Sequence, residues 1–338
     1  MSVNVTHSSD APVMLMAPFK GLTHRAWRNA FARHIGGCDE LFAPFISGSG
    51  TEKVHPGKLS DILPAELNLA PTIPQVISTN ADEIVLLGNT LADHGYSELN
   101  WNLGCPFARI ANKKRGCGML PYPELLNNNL EKIFNRINIR LSVKTRLGYH
   151  HSDEIFRILE VLNIFPVHRI ILHPRTGKQG YKGQADAAGF ARCFEVSKHP
   201  LIYNGDIFNE TQFNKLQSAF PRQTAWMIGR GALMNPFLPS ELKGICFDDD
   251  EKRKKLEAFN FDLWYHACGH HRQDSRALGS MKAVWHYMAG IFAEGKSVFT
   301  RIKRAKTRDA YLAAVDWALQ ADFAGEEQLE RYFWELTK

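Results

Sequence analysis

Cys105 stands in Asn102-Leu103-Gly104-Cys105-Pro106, a thiol held between a glycine and a proline. A thiol of ordinary pKa, about 8.5, is mostly protonated near neutrality and can give a proton to a developing carbanion. It could equally be a nucleophile, but the Cys–His–Asn order of thiol hydrolases is not present. Cys117, in Gly116-Cys117-Gly118, is the rival thiol, and its glycine-flanked slot suits packing. Lys144 of Lys144-Thr145-Arg146 and the amide of Gln75 suit a flat, electron-accepting ring, because a fixed ammonium lowers the cost of negative charge on the reduced ring. Asn102 and His173 can hydrogen-bond the same ring or a bound substrate. Asn204-Gly205-Asp206 and Gly229-Arg230-Gly231 read as a phosphate cradle, where glycines admit an anion close to backbone N–H groups and Arg230 adds charge.

These motifs recur at the ends of apolar runs. Strands are expected at 13–17, 40–45, 73–78, 97–102, 140–145, 169–173, 201–204 and 225–229, with helices between them such as 24–34, 81–94, 124–136, 153–163 and 210–219. Eight strand–helix units are the arithmetic of an α/β fold of the (β/α)8 TIM-barrel type, whose sites form at the C-terminal strand ends. An open doubly wound sheet competes, but no Gly-x-Gly-x-x-Gly follows the first strand. After Pro236 the pattern turns helical, through the charged stretch 246–255 and then Phe259, Leu263, His266; Met281, Val284, Trp285, Met288; and Tyr311, Leu312, Val315, Leu319. The expected organisation is a disordered lead-in at 1–11, a barrel at 12–242 and a small all-helical C-terminal domain at 243–338.

With 44% hydrophobic and 22% charged residues the chain has the composition of a globular protein, and it lacks an apolar run long enough to span a membrane. The first ten residues have neither a basic start nor an apolar core, so they do not read as a signal peptide. Six scattered cysteines without a Cys-x-x-Cys pair fit free thiols in a reducing cytoplasm and argue against a zinc ribbon. Residues 272–308 hold nine Lys/Arg and two Asp/Glu, while 309–338 hold two basic and seven acidic residues. Such a basic segment offers a face to phosphates. Within it, Arg301, Arg304 and Arg308 would share one helical face, flanked by Lys303 and Lys306.

The constellation resembles the tRNA-dihydrouridine synthases. The likeness runs through APFKGLTHRAWR (17–28), ELNWNLGCPFARIANKKRGCGML (98–120), LSVKTRLGYH (141–150), RIILHPRTGKQGY (169–181), PLIYNGDIF (200–208) and WMIGRGAL (226–233), and continues more weakly in MKAVWHYMAGIF (281–292). The resemblance implies FMN at the barrel mouth, reduced by NADPH, with a hydride passing from flavin N5 to uracil C6 while Cys105 protonates C5. It implies that FMN is held by Pro18, Phe19, Lys20, Gln75, Lys144, His173, Asn204, Gly205, Asp206, Gly229 and Arg230, and that Asn102 orients the uracil. Arg146 and Arg175 would meet flavin phosphate, substrate or RNA backbone. The helical domain, through Arg301 and Arg304, would grip tRNA, with Lys113 and Arg115 near its point of entry. The implied protein is a cytoplasmic monomer without metal. The family's first motif usually reads Ala-Pro-Met followed by Glu, Ala or Gln, whereas Phe19 and Lys20 stand here, and Cys117 takes a slot where glycine is usual. The His-x-Arg-Thr-x-x-Gln-Gly-Tyr form is closest to one bacterial branch. Two other readings compete: an FMN-dependent barrel oxidoreductase acting on a small molecule, and an RNA-binding module on a decayed barrel, against which Cys105 and Lys144 argue.

Overall fold

The computed structural model describes residues 11–270 and 273–336, so the expected lead-in at 1–11 lies outside the described residues except for Ala11. Runs rich in Val, Ile, Leu and Met form β1 (Val13–Met16), β2 (Glu40–Phe42), β3 (Thr72–Ile73), β4 (Gln75–Val76), β5 (Glu98–Leu103), β6 (Arg140–Gly148), β7 (Ile170–Thr176), β8 (Leu201–Tyr203) and β9 (Ala225–Ile228). Every pairing between them is parallel, in the order β3-β2-β1-β9-β8-β7-β6-β5-β4.

Nine segments make an eight-strand barrel because β3 and β4 are two halves of the expected third strand. Pro74 between them has no N–H to donate to a ladder, so the strand breaks there. β3 pairs with β2 and β4 with β5, and Asn100 N still reaches Pro74 O at 2.9 Å. The ring therefore closes across the break. β6 and β7 run further than expected, to Gly148 and Thr176, with a register irregularity between Arg146 and Gly148. Helices cover the outside, among them Arg25–His34, Ala81–Asp93, Pro123–Phe134, Glu154–Leu162, Ala187–Val196 and Glu210–Ala219. Side-chain caps start several of them: Asn80 accepts from Asp82 N, and Asn209 from Gln212 N.

The helical region follows β9. Residues 246–255 are largely the start of the long helix Asp249–His270, whose first-turn Asp249, Asp250 and Glu251 offset the partial positive charge of that end. Helices Asp274–Met288, Gly295–Arg304, Arg308–Leu319 and Glu326–Glu335 complete it. Buried Asn260 accepts hydrogen bonds from Trp285 Nε1 (3.0 Å) and Tyr311 Oη (2.7 Å) at its centre. His266 departs from the expected apolar stripe and faces solvent. The region packs on the barrel where Trp27 meets Phe259 edge-on at 5.9 Å, beside the Arg33–Asp262 ion pair.

The single basic face expected for Arg301, Arg304 and Arg308 does not form. The helix ends at Arg304, Ala305 is extended, and the Thr307 hydroxyl accepts from Ala310 N to cap a new helix that begins at Arg308. All six cysteines are free. No helix among the described residues is long and apolar enough to cross a membrane.

Candidate active site at the barrel mouth

Alternate residues of a strand face the barrel interior. Leu15, Phe42, Ile73, Ile171, Ile202 and Met227 pack there as a small apolar plug. On three of these strands the next inward position lies at the expected site: His173 follows Ile171, Asn204 follows Ile202, and Gly229 follows Met227. On β5 and β6 the inward series is polar throughout, from Asn100 to Asn102 and from Ser142 to Lys144 and Arg146. A hydrogen-bonded chain ties these together, with Asn102 Nδ2 donating to Gln75 Oε1 (2.7 Å), Gln75 Nε2 to Asn100 Oδ1 (2.8 Å) and Asn100 Nδ2 to Ser142 Oγ (2.8 Å). Above this layer opens a cleft lined by Gln75, Asn102, Cys105, Lys144, His173 and Arg230, with Pro18, Phe19 and Lys20 on one side.

Asn102 lines the cleft and also shapes it: its Oδ1 accepts from the backbone N–H of Gly104 (3.1 Å) and of Cys105 (2.9 Å), so it holds the Cys105 turn, while one of its two Nδ2 hydrogens goes to Gln75. The downstream loop folds tightly onto that turn. A Cβ on Gly116, whose φ is +57°, would lie 2.7 Å from Cys105 O. Cys117 donates to the same carbonyl from its N and its Sγ, both at 3.2 Å. Cys117 is sealed from solvent and burial raises its pKa to about 12, which fits the packing role. Cys105 lines the cleft. Burial pushes its thiol up, against the opposing pull of the Phe107 N–H and the Arg146 cation, so it is held protonated near neutral pH.

Lys144 Nζ donates to Asn204 Oδ1 at 2.6 Å, and Asn204 Nδ2 is fixed in turn on Met227 O at 2.8 Å. Burial, then repulsion from Arg146, lowers the Lys144 pKa to about 7. His173 is driven well below its usual range by burial and by the cations around it, so it is neutral. Arg175 Nη1 lies 2.9 Å from His173 Nε2. Arginine only donates, so Nε2 accepts and the ring proton sits on Nδ1.

Arg146 and Arg175 are both held from within the protein, and of the two only Arg146 lines the cleft. Arg146 is 2% exposed and donates to the carbonyls of Gly104 (2.9 Å), Thr176 (3.0 Å) and Gly180 (2.7 Å), tying the Cys105 turn to the loop after β7. Arg175 is fully buried in a two-point pair with Asp206, Nη1–Oδ1 at 2.8 Å and Nη2–Oδ2 at 2.6 Å, so it cannot touch RNA. Asp206 also accepts from Arg230 Nη2 (3.0 Å) and Ala185 N (2.9 Å), which turns it toward the arginines and away from the cleft. Gly205 and Gly231 are required by close approach, since a Cβ would meet the Tyr203 ring at 2.5 Å and Ile207 O at 1.9 Å. Arg230 Nη1 is buried with no hydrogen-bond partner among the described residues. An anion such as a phosphate would satisfy it.

Lys20 is exposed at the rim, its Nζ 5.4 Å over the Phe45 ring. Lys113 is exposed and Arg115 half-buried in the turn after helix Ala108–Ala111. Arg301 and Arg304 are exposed around a shallow groove with Lys296, Thr300 and Trp317, and Arg301 lies 4.6 Å over the Trp317 ring. None of these last four expected RNA contacts lines the cleft. Lining residues that were not expected include Phe45, Phe107, Tyr181, Tyr287 and Leu336. Tyr181 sat in the stretch that follows His173-Pro-Arg-Thr, and that position was the signal for it. Tyr287 and Leu336 come from the helical region and are brought in only by tertiary packing.

The family model described as dihydrouridine synthase matches residues 15–334. The tRNA-dihydrouridine(16) synthase of Neisseria meningitidis serogroup B is 24% identical over 312 residues, covering 88% of this chain and 91% of that protein. A probable tRNA-dihydrouridine synthase of Aquifex aeolicus is 29% identical over 244 residues, covering 68% and 72%. Among solved structures, a 2-naphthoyl-CoA reductase complex superimposes with a TM-score of 0.52 at 10% identity over 68% of this chain, which spans only 49% of that protein. Morphinone reductase gives 0.50 at 10% identity over 70% and 87%. At such identities these two likenesses bear on the barrel fold alone.

Proposed function

The chain belongs to the dihydrouridine synthase family, and from that membership we propose that it reduces the C5–C6 double bond of a uridine in tRNA. The observation that carries the reading is Cys105, a protonated thiol that lines the cleft and is held there by Asn102. The residues around it fit FMN: Lys144 and Gln75 suit the ring, and the partnerless Nη1 of Arg230 suits the phosphate. FMN, when bound and reduced by NADPH, supplies the electron pair and hydrogen that uracil C6 accepts.

The protein's own groups do the rest. Cys105 gives its proton to C5 as negative charge develops there, and the burial that raises its pKa favours prompt recovery of a proton from solvent. Lys144, about half protonated near pH 7 in the free protein, would become a full cation beside a ring that gains negative charge. His173 offers Nδ1–H as a fixed donor to a carbonyl of the ring or of the uracil. Uridine must leave its stack to reach this depth, at a cost of a few kcal/mol that backbone contacts offset. Arg301 and Arg304, with Lys113, Lys20 and the half-buried Arg115 nearer the barrel, are the cations assigned to that grip. In this reading the barrel, 12–242, is the catalytic domain and the helices, 243–338, the RNA-binding domain.

The test is a pair of measurements on the purified protein loaded with FMN. Flavin reduced by NADPH should be reoxidised without oxygen by tRNA lacking dihydrouridine. Cys105→Ala should keep its flavin and its NADPH oxidation but lose about a hundredfold or more in uridine reduction. Equal turnover in the variant would place the acid elsewhere, and a flavoprotein that ignores tRNA would instead be a small-molecule reductase.

A further inference from the structure

Arg230 is enclosed by two aromatic rings that come from distant parts of the chain. Its Cζ lies 4.7 Å from the centroid of Tyr181, in the loop after β7, and 4.5 Å from that of Phe333, in helix Glu326–Glu335. One amino group, Nη2, is fixed on Asp206, and the other, Nη1, is buried and partnerless among the described residues. Phe333 is itself immobilised. It is 1% exposed, stacks on Phe208 at 4.5 Å and 30°, and packs in a cluster with Met234 and Leu329. The start of its helix is tied to the barrel, where Thr211 Oγ1 donates to Glu326 Oε2 at 2.7 Å. Leu336, just past the end of the same helix, lines the cleft, as does Tyr287 from helix Asp274–Met288.

We propose that helix Glu326–Glu335 is a wall of the cofactor pocket, and that Phe333 is the positioning residue that aims Arg230 Nη1 at the cofactor's phosphate. The inference rests on the flavin reading above. A guanidinium on a flexible stem loses rotamer freedom whenever it binds an anion, and one already clamped loses less. The two ring faces attract the cation and exclude water from its sides, while Asp206 fixes its rotation. The helical region thereby acts on the cofactor as well as on RNA. By reciprocity, cofactor that binds Arg230 must stabilise the helix that carries Phe333.

The test compares Phe333→Leu with Leu329→Ala in the full-length protein, with FMN affinity read by quenching of flavin fluorescence and stability read by thermal unfolding. Leucine keeps an apolar side chain at 333 but removes the ring face, whereas Leu329→Ala opens a cavity in the same cluster away from Arg230. FMN should bind about three- to tenfold more weakly to Phe333→Leu. It should bind to Leu329→Ala within about twofold of the wild type although that variant melts lower. Phe333→Tyr should restore the affinity, and FMN should slow hydrogen exchange in 326–335 of the wild type. Wild-type affinity in Phe333→Leu, or equal losses in both variants, overturns the positioning role while leaving the flavin reading intact. A wild-type protein that cannot be loaded with FMN overturns the flavin reading itself, and the proposal with it.

Discussion

Asp206→Asn tests the buried charge arrangement most directly. The carboxylate pairs with two guanidiniums at once, Arg175 at 2.6 and 2.8 Å and Arg230 at 3.0 Å, and all three side chains are at most 7% exposed. Asparagine keeps the shape and removes the charge. Arginine does not deprotonate in proteins, so two cations remain buried with one neutral partner, and the new amide NH2 faces a donor. Breaking a buried pair in this way costs about 3–5 kcal/mol. At about 2–4 °C per kcal/mol for a chain of this general size, the cofactor-free variant should melt roughly 6–20 °C below the wild type. The deficit should shrink when FMN is added, because its phosphate returns negative charge to Arg230. The assay is thermal unfolding with and without FMN. An unchanged melting temperature together with lost FMN affinity would refute the reasoning, since Asp206 would then serve the cofactor and not the arginines.

Lys144 carries a pH signature. Its pKa is 10.5 in the unfolded chain and about 7 in the fold, so across that window the unfolded state holds the extra proton and Lys144 weakens the cofactor-free fold. The penalty is full below pH 7 and gone above 10.5, so Lys144→Met should raise the melting temperature most near pH 6 and progressively less toward pH 10; a pH-independent gain would contradict the assignment. Arg301→Glu with Arg304→Glu should weaken tRNA binding and flatten its salt dependence by about 1.5–2 in the log–log slope, leaving FMN bound. Unchanged affinity at low salt would remove these residues from the interface.

Much of the barrel is legible in the sequence because parallel strands covered on both sides must be apolar runs, and those runs end where polar residues begin. Cys105, Lys144, Gln75 and His173 could be placed together for that reason. The same rule does not show how Arg146 and Arg175 are held. Polar residues at the ends of 140–145 and 169–173 look like loop, yet β6 and β7 continue through them, because Asp206 and a set of backbone carbonyls satisfy the guanidiniums inside the barrel. The break at Pro74 was visible as a proline, but only the pairing of each half with a different neighbour shows that the barrel still closes there. The basic stretch 301–308 carried its own interruption, since Thr307 before Arg308-Asp309-Ala310 is a capping residue. Phe45, Phe107, Tyr287 and Leu336 had no such mark. Tyr287 lies between buried Trp285 and Met288, off the stripe that the helix buries in its own region, and its place in the cleft depends on how that region docks.

The clamp of Phe333 on Arg230 also has a consequence in time. Every barrel strand is synthesised before the helical region, yet the Arg230 end of the cleft is walled by residues made near the end of it. At about 5–20 residues per second the barrel emerges from the ribosome on the order of ten seconds before Phe333 does. A nascent barrel can thus close its sheet and present Cys105, but Arg230 stays unclamped until the last helix docks. On the positioning role proposed for Phe333, a chain cut short before this helix would lack the ring that clamps Arg230 and should hold flavin poorly.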